Sequence, residues 1–357
     1  MEIPQLTVTL AGGTNTGKTT FMHGMYARLS AGFHDYFLYT IDPDDDVDLQ
    51  EAWERLLDTG DVPRGGQAPQ EYAFRFARQL TPLLDMTWTD FRGGAAYESG
   101  RKADAQPDIE QWKEHLPKTD SLYVVLDGEA LGTWVKEGAE EGANFSSGRM
   151  GPARLSQIIR AAHAGRTAAG NPPPSIVLLI TKMDMLSVAS GMSTAKAFKT
   201  ATLNMRKLLS PLFEQGMTTL VCPVQIGTFK RSQTENGRVD PSLIRPQYLH
   251  VPICFSLWYY LTETLRAQEQ QLVGAQVRLT VSQEMLAELR SKSLLLGKRK
   301  KILSAEASAL AQQAEKSAIE DGINTRQTQA DQMMATFENF PVIKDGKIYM
   351  NWPEDNS

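Results

Sequence analysis

A chain of 357 residues is long enough for two folded units, and 41% hydrophobic with 22% charged residues excludes a wholly disordered polymer. Thirty-seven basic against 42 acidic side chains leave a net charge of -5, which argues against a domain-wide grip on nucleic acid, so no nucleic-acid partner is expected. Two cysteines, Cys222 and Cys254, are too few for a disulfide framework and read as reduced thiols of a cytoplasmic protein; no apolar stretch approaches the ~20 residues of a transmembrane span.

From Leu6 to about Leu220 short β-rich runs alternate with longer amphipathic ones. Thr7–Leu10, Tyr72–Phe76, Leu83–Thr89, Leu122–Leu126, Ile176–Ile180 and Thr218–Val224 read as strands, and Lys18–Ser30, Val47–Leu57, Arg154–Ala168 and Thr194–Phe213 as helices. Apolar strands alternating with helices predict an α/β fold of three layers around a mostly parallel sheet. Tyr72–Phe76 and Leu83–Thr89 lie too close together for a crossover helix, so they predict a hairpin with one antiparallel strand. Gly93–Pro107 and Gly128–Pro152 read as long loops, and Asn236-Gly237 carries hairpin chemistry.

Beyond about Val251 the pattern changes. Leu265, Leu272, Leu279 and Leu286 recur every seven residues, and Leu289, Leu296, Leu303 and Leu310 form a second such series. This spacing predicts a coiled coil or a helical hairpin, with Gly297 at a turn and Gly322 ending the second helix. In the tail, Asp345-Gly346 between two β-like runs predicts a small hairpin.

The strongest chemical signal is Gly12, Gly13, Thr14, Asn15, Thr16, Gly17, Lys18 and Thr19, with Thr20 next, set between a strand and a helix. Glycines there let successive N–H groups turn in on a phosphate, Lys18 neutralises β- and γ-phosphate oxygens, and the Thr19 hydroxyl is a hard ligand for Mg²⁺. A second element, Asp90-Phe91-Arg92-Gly93, follows the strand Leu83–Thr89. Asp90 can hold Mg²⁺ through water, and Gly93 lets its N–H approach a γ-phosphate. A third, Thr181-Lys182-Met183-Asp184, follows Ile176–Ile180. The Asp184 carboxylate can accept from guanine N1–H and the 2-amino group, which adenine does not offer, with the Lys182 stem along the base.

This order of motifs resembles the translation-factor-related class of P-loop GTPases, including Ras-like and Era-like G domains, over roughly residues 1–225. The Trp88–Gly93 run and the Pro63-Arg64-Gly65 segment are also similar to bacterial double-GTPase domains. The resemblance implies a GTPase domain at 1–260, a helical or coiled-coil extension at 261–338 and a tail with a short hairpin at 339–357. It implies a Mg²⁺-dependent, GTP-binding and GTP-hydrolysing switch that signals to an unknown protein effector, or assembles, through its switch loops and C-terminal helices. By the same resemblance Lys18, Thr19, Asp90, Gly93, Thr181, Lys182 and Asp184 bind nucleotide and metal.

Three departures qualify it. Gly94 stands where Ras-like enzymes place a water-orienting Gln, which predicts slow intrinsic turnover and makes Arg92 the candidate charge stabiliser. No switch-loop Thr has a convincing context: Thr40 and Thr59 are the candidates, and Gly60–Gln67 the expected loop. The late base-contact motif is replaced by Pro223–Gly227, where Gln225 or Ile226 backbone would substitute. Asn15, as in Era-like domains, would help hold a K⁺ that supplies positive charge at the phosphates. Two alternatives remain in view: a P-loop ATPase using Asp127 as its metal-holding carboxylate, and a nucleotide-dependent scaffold with little or no hydrolysis.

Overall fold

The computed structural model describes residues 3–63, 65, 70–90, 114–139, 151–229, 237–291 and 299–351. In chain order the first elements are β1 (Gln5–Gly12), α1 (Lys18–Ser30), β2 (Tyr36–Thr40), α2 (Pro43–Thr59), β3 (Gln70–Arg78), β4 (Thr81–Asp90) and β5 (Ser121–Asp127). Then come α3 (Gly128–Lys136), α4 (Pro152–Ala168), β6 (Ser175–Thr181), α5 (Met183–Ser190), α6 (Thr194–Leu208) and β7 (Thr218–Pro223). The last are β8 (Gln225–Gly227), β9 (Ile244–Gln247), α7 (Val251–Ser291), α8 (Arg299–Met334), β10 (Val342–Lys344) and β11 (Lys347–Tyr349). No helix among the described residues is long and apolar enough to cross a membrane.

Nine strands form one sheet in the order β11-β10-β7-β6-β5-β1-β4-β3-β2. Its centre, β7-β6-β5-β1-β4, is parallel. Every residue of β5 and β6 is buried, as a strand covered on both faces requires. On one face Leu122, Val124, Leu126, Ile176, Leu178 and Ile180 join Trp134 of α3, Ile159 of α4, Leu186 of α5 and Met205 of α6 in a single apolar cluster. On the other, Phe21 of α1 lies 6.4 Å from Trp88 and 6.3 Å from Tyr123, ring centre to ring centre. The first turns of α7 join that layer through Ser256 Oγ, within 2.7 Å of Ser121 Oγ and 2.9 Å of the Tyr123 hydroxyl. These are the three layers expected of an α/β fold.

Taken in chain order, the five parallel strands lie in space as second, first, third, fourth and fifth. The crossovers therefore diverge between β1 and β5, which opens a crevice at the strands' carboxyl ends. Gly12, Asp90, Asp127 and Thr181 all stand at that end.

The β3–β4 hairpin is as expected, with β3 antiparallel to β4. Its register is locked by Arg75, which faces Asp85 and donates from Nε to Oδ1 at 2.6 Å and from Nη2 to Oδ2 at 2.8 Å. A slip of one residue would turn Asp90 to the opposite face of the sheet. The Arg75 guanidinium holds the Asp85 carboxyl below the ordinary carboxylate range. A depressed folded pKa contributes stability that is present above the unfolded value and lost as pH falls through the folded one. Asp85→Asn is therefore expected to melt lower than wild type at neutral pH, with the two curves converging below about pH 4 in a thermal melt series.

Several local expectations are corrected. β2 was not legible, because its five residues are an edge strand whose pairing with β3 comes from across α2. Gly128–Lys136 is helix rather than loop, capped by Asp127. The helix from Thr194 ends at Leu208, since Pro211 lacks an N–H and disfavours helix before it; Ser210–Phe213 is a 3₁₀ turn. The tail hairpin forms, and β10 adds it antiparallel to β7 of the main sheet.

The chain divides into two compact units, one running to Ser256 and resuming at Phe337, the other Leu257–Thr336. The second is an antiparallel helical pair, joined by Arg278 to Glu315 at 2.8 Å and Arg290 to Glu306 at 2.6 Å. Of the first leucine series, Leu265 and Leu279 are buried. The second series is not a seam: Leu303 is 57% and Leu310 71% exposed, while Ala330 and Met333 take buried positions on α8. Gly322 does not end α8, which continues to Met334. Leu296 and Gly297 lie outside the described residues.

Candidate functional site

β1 delivers the chain to Gly12, whose backbone packs so closely that an added Cβ would stand 2.9 Å from Val125 Cβ. Gly17 precedes α1 in the left-handed region (φ 86°) and brings no side chain to cap the helix N-terminus. Thr16 Oγ1 donates to the Gly13 carbonyl at 2.9 Å, which closes the loop on itself. Lys18 is buried, and its Nζ donates to the carbonyls of Gly12 (3.1 Å) and Gly13 (3.0 Å). Burial lowers the Lys18 pKa, and the charge of Asp90 opposes that shift. The ammonium is thus folded back on its own loop, in reach of whatever the loop encloses.

Thr19 Oγ1 donates to Asp90 Oδ2 at 3.1 Å, which joins two motifs that lie 71 residues apart. Asp90 Oδ1 is buried with no partner. Burial raises the Asp90 pKa, with Lys18 and the Thr19 hydroxyl acting the other way. An orphaned carboxylate oxygen beside a hydroxyl is an unsatisfied hard-oxygen pair, and it fits a small divalent cation. Among the described residues no group of three or more His, Cys, Asp or Glu side chains could hold a metal. A cation here would take its remaining ligands from phosphate and water, which is how Mg²⁺ is usually held.

The third motif meets the same loop. Thr181, ending β6, donates through Oγ1 to Thr16 O at 2.7 Å and Leu126 O at 3.2 Å. Lys182 has φ 50° and donates through Nζ to Asn15 O at 2.7 Å and Asp127 Oδ2 at 2.7 Å. Asp184, in the first turn of α5, accepts from Phe229 N–H at 2.8 Å. Burial raises its pKa against those hydrogen bonds. Lys18, Thr19, Asp90, Asn15, Thr181 and Lys182 are therefore brought together by direct contacts.

Other expected residues fall elsewhere. Thr14 is exposed on the loop, and Thr20 is half-buried on α1. Arg92, Gly93 and Gly94 lie outside the described residues. Thr59 Oγ1 donates to Arg55 O at 2.8 Å and bonds Asp61 Oδ2 at 3.0 Å, so it serves the end of its own helix. Thr40 is buried at the end of β2. Near Thr19 the segment after α2 presents Gly65 instead: a Cβ there would stand 3.4 Å from Thr19 Oγ1. Asp127 is corrected as a metal carboxylate, because Oδ1 accepts from Glu129 and Ala130 N–H and Oδ2 from Lys182, whereas the carboxylate at Thr19 is Asp90. Gln225 Nε2 is turned to Thr228 Oγ1 at 3.0 Å. The backbone that meets Asp184 is that of Phe229, two residues past the expected stretch, and no residue type signals a main-chain donor.

A strap of main chain pairs the segment after α2 with residues 237–239. Val239 N–H donates to Gly60 O at 2.8 Å and Val62 N–H to Gly237 O at 3.0 Å, and Arg238 bonds Asp61 at 2.5 Å.

No family model matches the chain, and no curated protein matches it. Among solved structures it is similar to the S. cerevisiae Ski7 GTPase-like domain bound to GTP, at 13% identity and TM-score 0.37, over 62% of this chain and 43% of that one. It is also similar to sup35 complexed with GDP, at 13% identity and TM-score 0.29, over 68% of this chain and 41% of that one. The chain spans less than half the length of either. Likeness of that degree decides nothing about ligand or activity.

Proposed function

We propose that the chain binds a guanine nucleoside triphosphate with Mg²⁺ and hydrolyses it slowly, as a switch read by a protein partner. The observation that carries this reading is the contact between Thr19 and the buried Asp90, whose second oxygen is left unpaired beside Lys18. The loop Gly12–Thr19 would wrap the β-phosphate with its N–H groups, with Thr20 behind it on α1. Lys18 would exchange the carbonyls of Gly12 and Gly13 for β- and γ-phosphate oxygens. Thr19 and Asp90 would hold Mg²⁺, which when bound neutralises charge on the phosphates. The Lys182 stem would lie along the base, and Asp184 would accept from guanine.

In the same reading Gly93 N–H approaches the γ-phosphate, Arg92 stabilises developing charge, and Asn15 assists a K⁺ at the loop. Ordering of the segment around Gly65 by the γ-phosphate is the physical basis of the switch, and the helices within 257–336 are the arm for an effector or a second copy. A cytoplasmic location belongs to this reading as well.

Titration of the purified protein with fluorescent GTP, GDP and ATP is expected to give Mg²⁺-dependent binding of the guanine nucleotides and little of ATP. Phosphate release is expected to be slow, and faster in K⁺ than in Na⁺. Equal rates in both cations remove K⁺ from the reading. Firm GTP binding without release makes the chain a nucleotide-dependent scaffold, and binding of neither nucleotide overturns the proposal.

A further inference from the structure

Asp127 is fully buried at the end of β5, next to the crevice, and the metal site does not use it. Its surroundings are donors on both sides. Oδ1 accepts from Glu129 N–H at 2.9 Å and Ala130 N–H at 3.3 Å, and Oδ2 accepts from Lys182 Nζ at 2.7 Å. The same ammonium reaches Asn15 O at 2.7 Å in the phosphate loop. The neighbouring Gly128 lies so close to β6 that an added Cβ would stand 2.4 Å from the carbonyls of both Thr181 and Lys182. Start of α3, end of β6 and tip of the phosphate loop are thus fastened at one point, with Lys182 held at a φ of 50° that favours glycine.

We propose that Asp127 is a positioning residue for nucleotide binding, its Oδ2 fixing Lys182 on the Asn15 carbonyl so that the lysine stem and the phosphate loop are set before the ligand arrives. This rests on the guanine-nucleotide reading above and adds a residue that none of its motifs contains. The chemistry demands a carboxylate. An amide offers one accepting oxygen, and two sets of donors compete for it; a helix cap alone is served equally well by Asn. The ammonium then loses a charge-assisted bond, and the stem loses its fixed end. Binding must order it at that moment.

The test is a double-mutant cycle of Asp127→Asn and Lys182→Met, read as the Kd of fluorescent GDP and GTP, with melting temperature measured alongside. Asp127→Asn is expected to melt close to wild type and to bind about tenfold or more weaker. Lys182→Met is expected to weaken binding as well, and the double variant to bind no worse than Lys182→Met alone, because Asp127 acts through Lys182. Asp127→Ser, which keeps a capping oxygen without the charge, is expected to show the same loss and replaces Asp127→Asn if that variant does not fold. A folded Asp127 variant with a Kd within twofold of wild type, or a loss fully additive with that of Lys182→Met, overturns the inference. Wild-type protein that binds neither guanine nucleotide overturns the nucleotide reading, and this inference with it.

Discussion

Asp184→Asn is expected to lower GTP and GDP affinity about 100-fold while leaving the weak binding of ATP unchanged. The carboxylate is fixed at the start of α5, and its Oδ2 already accepts from Phe229 N–H. Burial disfavours the ionised form, so a partner with two donors on one edge gains more here than it would in water. Guanine presents such an edge at N1–H and the 2-amino group. In the variant the amide oxygen still suits Phe229, which turns the amide NH₂ toward those donors, and donor meets donor. The penalty is the desolvation of groups left unpaired rather than the loss of a favourable contact alone. Xanthosine triphosphate, which carries a C2 carbonyl where guanine carries the amino group, is expected to bind the variant better than GTP does. Isothermal titration of the four nucleotides reads all of this, and a variant that still prefers GTP over ATP as strongly as wild type excludes Asp184 from base recognition.

Gly60→Ala is expected to cost about 3 kcal/mol or more of stability, enough to lower the melting temperature by several degrees. Gly60 closes α2 with φ 75°, where an L side chain is strained by about 1–2 kcal/mol. The larger cost is collision. A Cβ on Gly60 would stand 1.8 Å from Val239 O, in the strap whose N–H bonds Gly60 O. Backbone on both sides leaves no flexible end to give way. Gly170 and Gly191 have similar positive φ values, 74° and 68°, with nothing within 4 Å of an added Cβ. Gly170→Ala and Gly191→Ala are therefore expected to cost only about 1 kcal/mol each. Chemical denaturation of the three variants separates strain from collision, and equal losses in all three would mean that the strap does not hold. The strap segment leads on to Gly65 beside Thr19, so Gly60→Ala is also expected to weaken Mg²⁺-dependent nucleotide binding.

The loop Gly12–Thr19 between β1 and α1, the β3–β4 hairpin and the buried strands β5 and β6 were legible in the residues, because each declares itself over a short stretch. Glycines beside a lysine, two β-runs too close for a crossover, and unbroken apolar runs are local facts, and local propensity and global fold agree there. The leucine series beyond Val251 announced long helices in the same way, but Leu303 and Leu310 point away from the seam, since a repeat of seven does not say which of a helix's faces meets its neighbour. β2 is five residues long and owes its existence to β3, which lies beyond α2; the tail hairpin was legible, but its addition to β7 was not. Asp127 reads as a strand-end acid of a kind that often holds metal, and only its neighbours turned it into a partner for Lys182. Phe229 meets Asp184 through its main-chain N–H, which carries no residue signature, whereas Gly65, near Thr19, lies in the expected loop Gly60–Gln67. The sequence by itself determined the type of fold and singled out three stretches expected to meet a nucleotide, because those depend on composition and spacing along the chain. Tertiary structure alone decided what restrains Lys182 and what stands beside Asp184, because such contacts join residues 45 to 167 positions apart and arise only once the crossovers have brought the strand ends together.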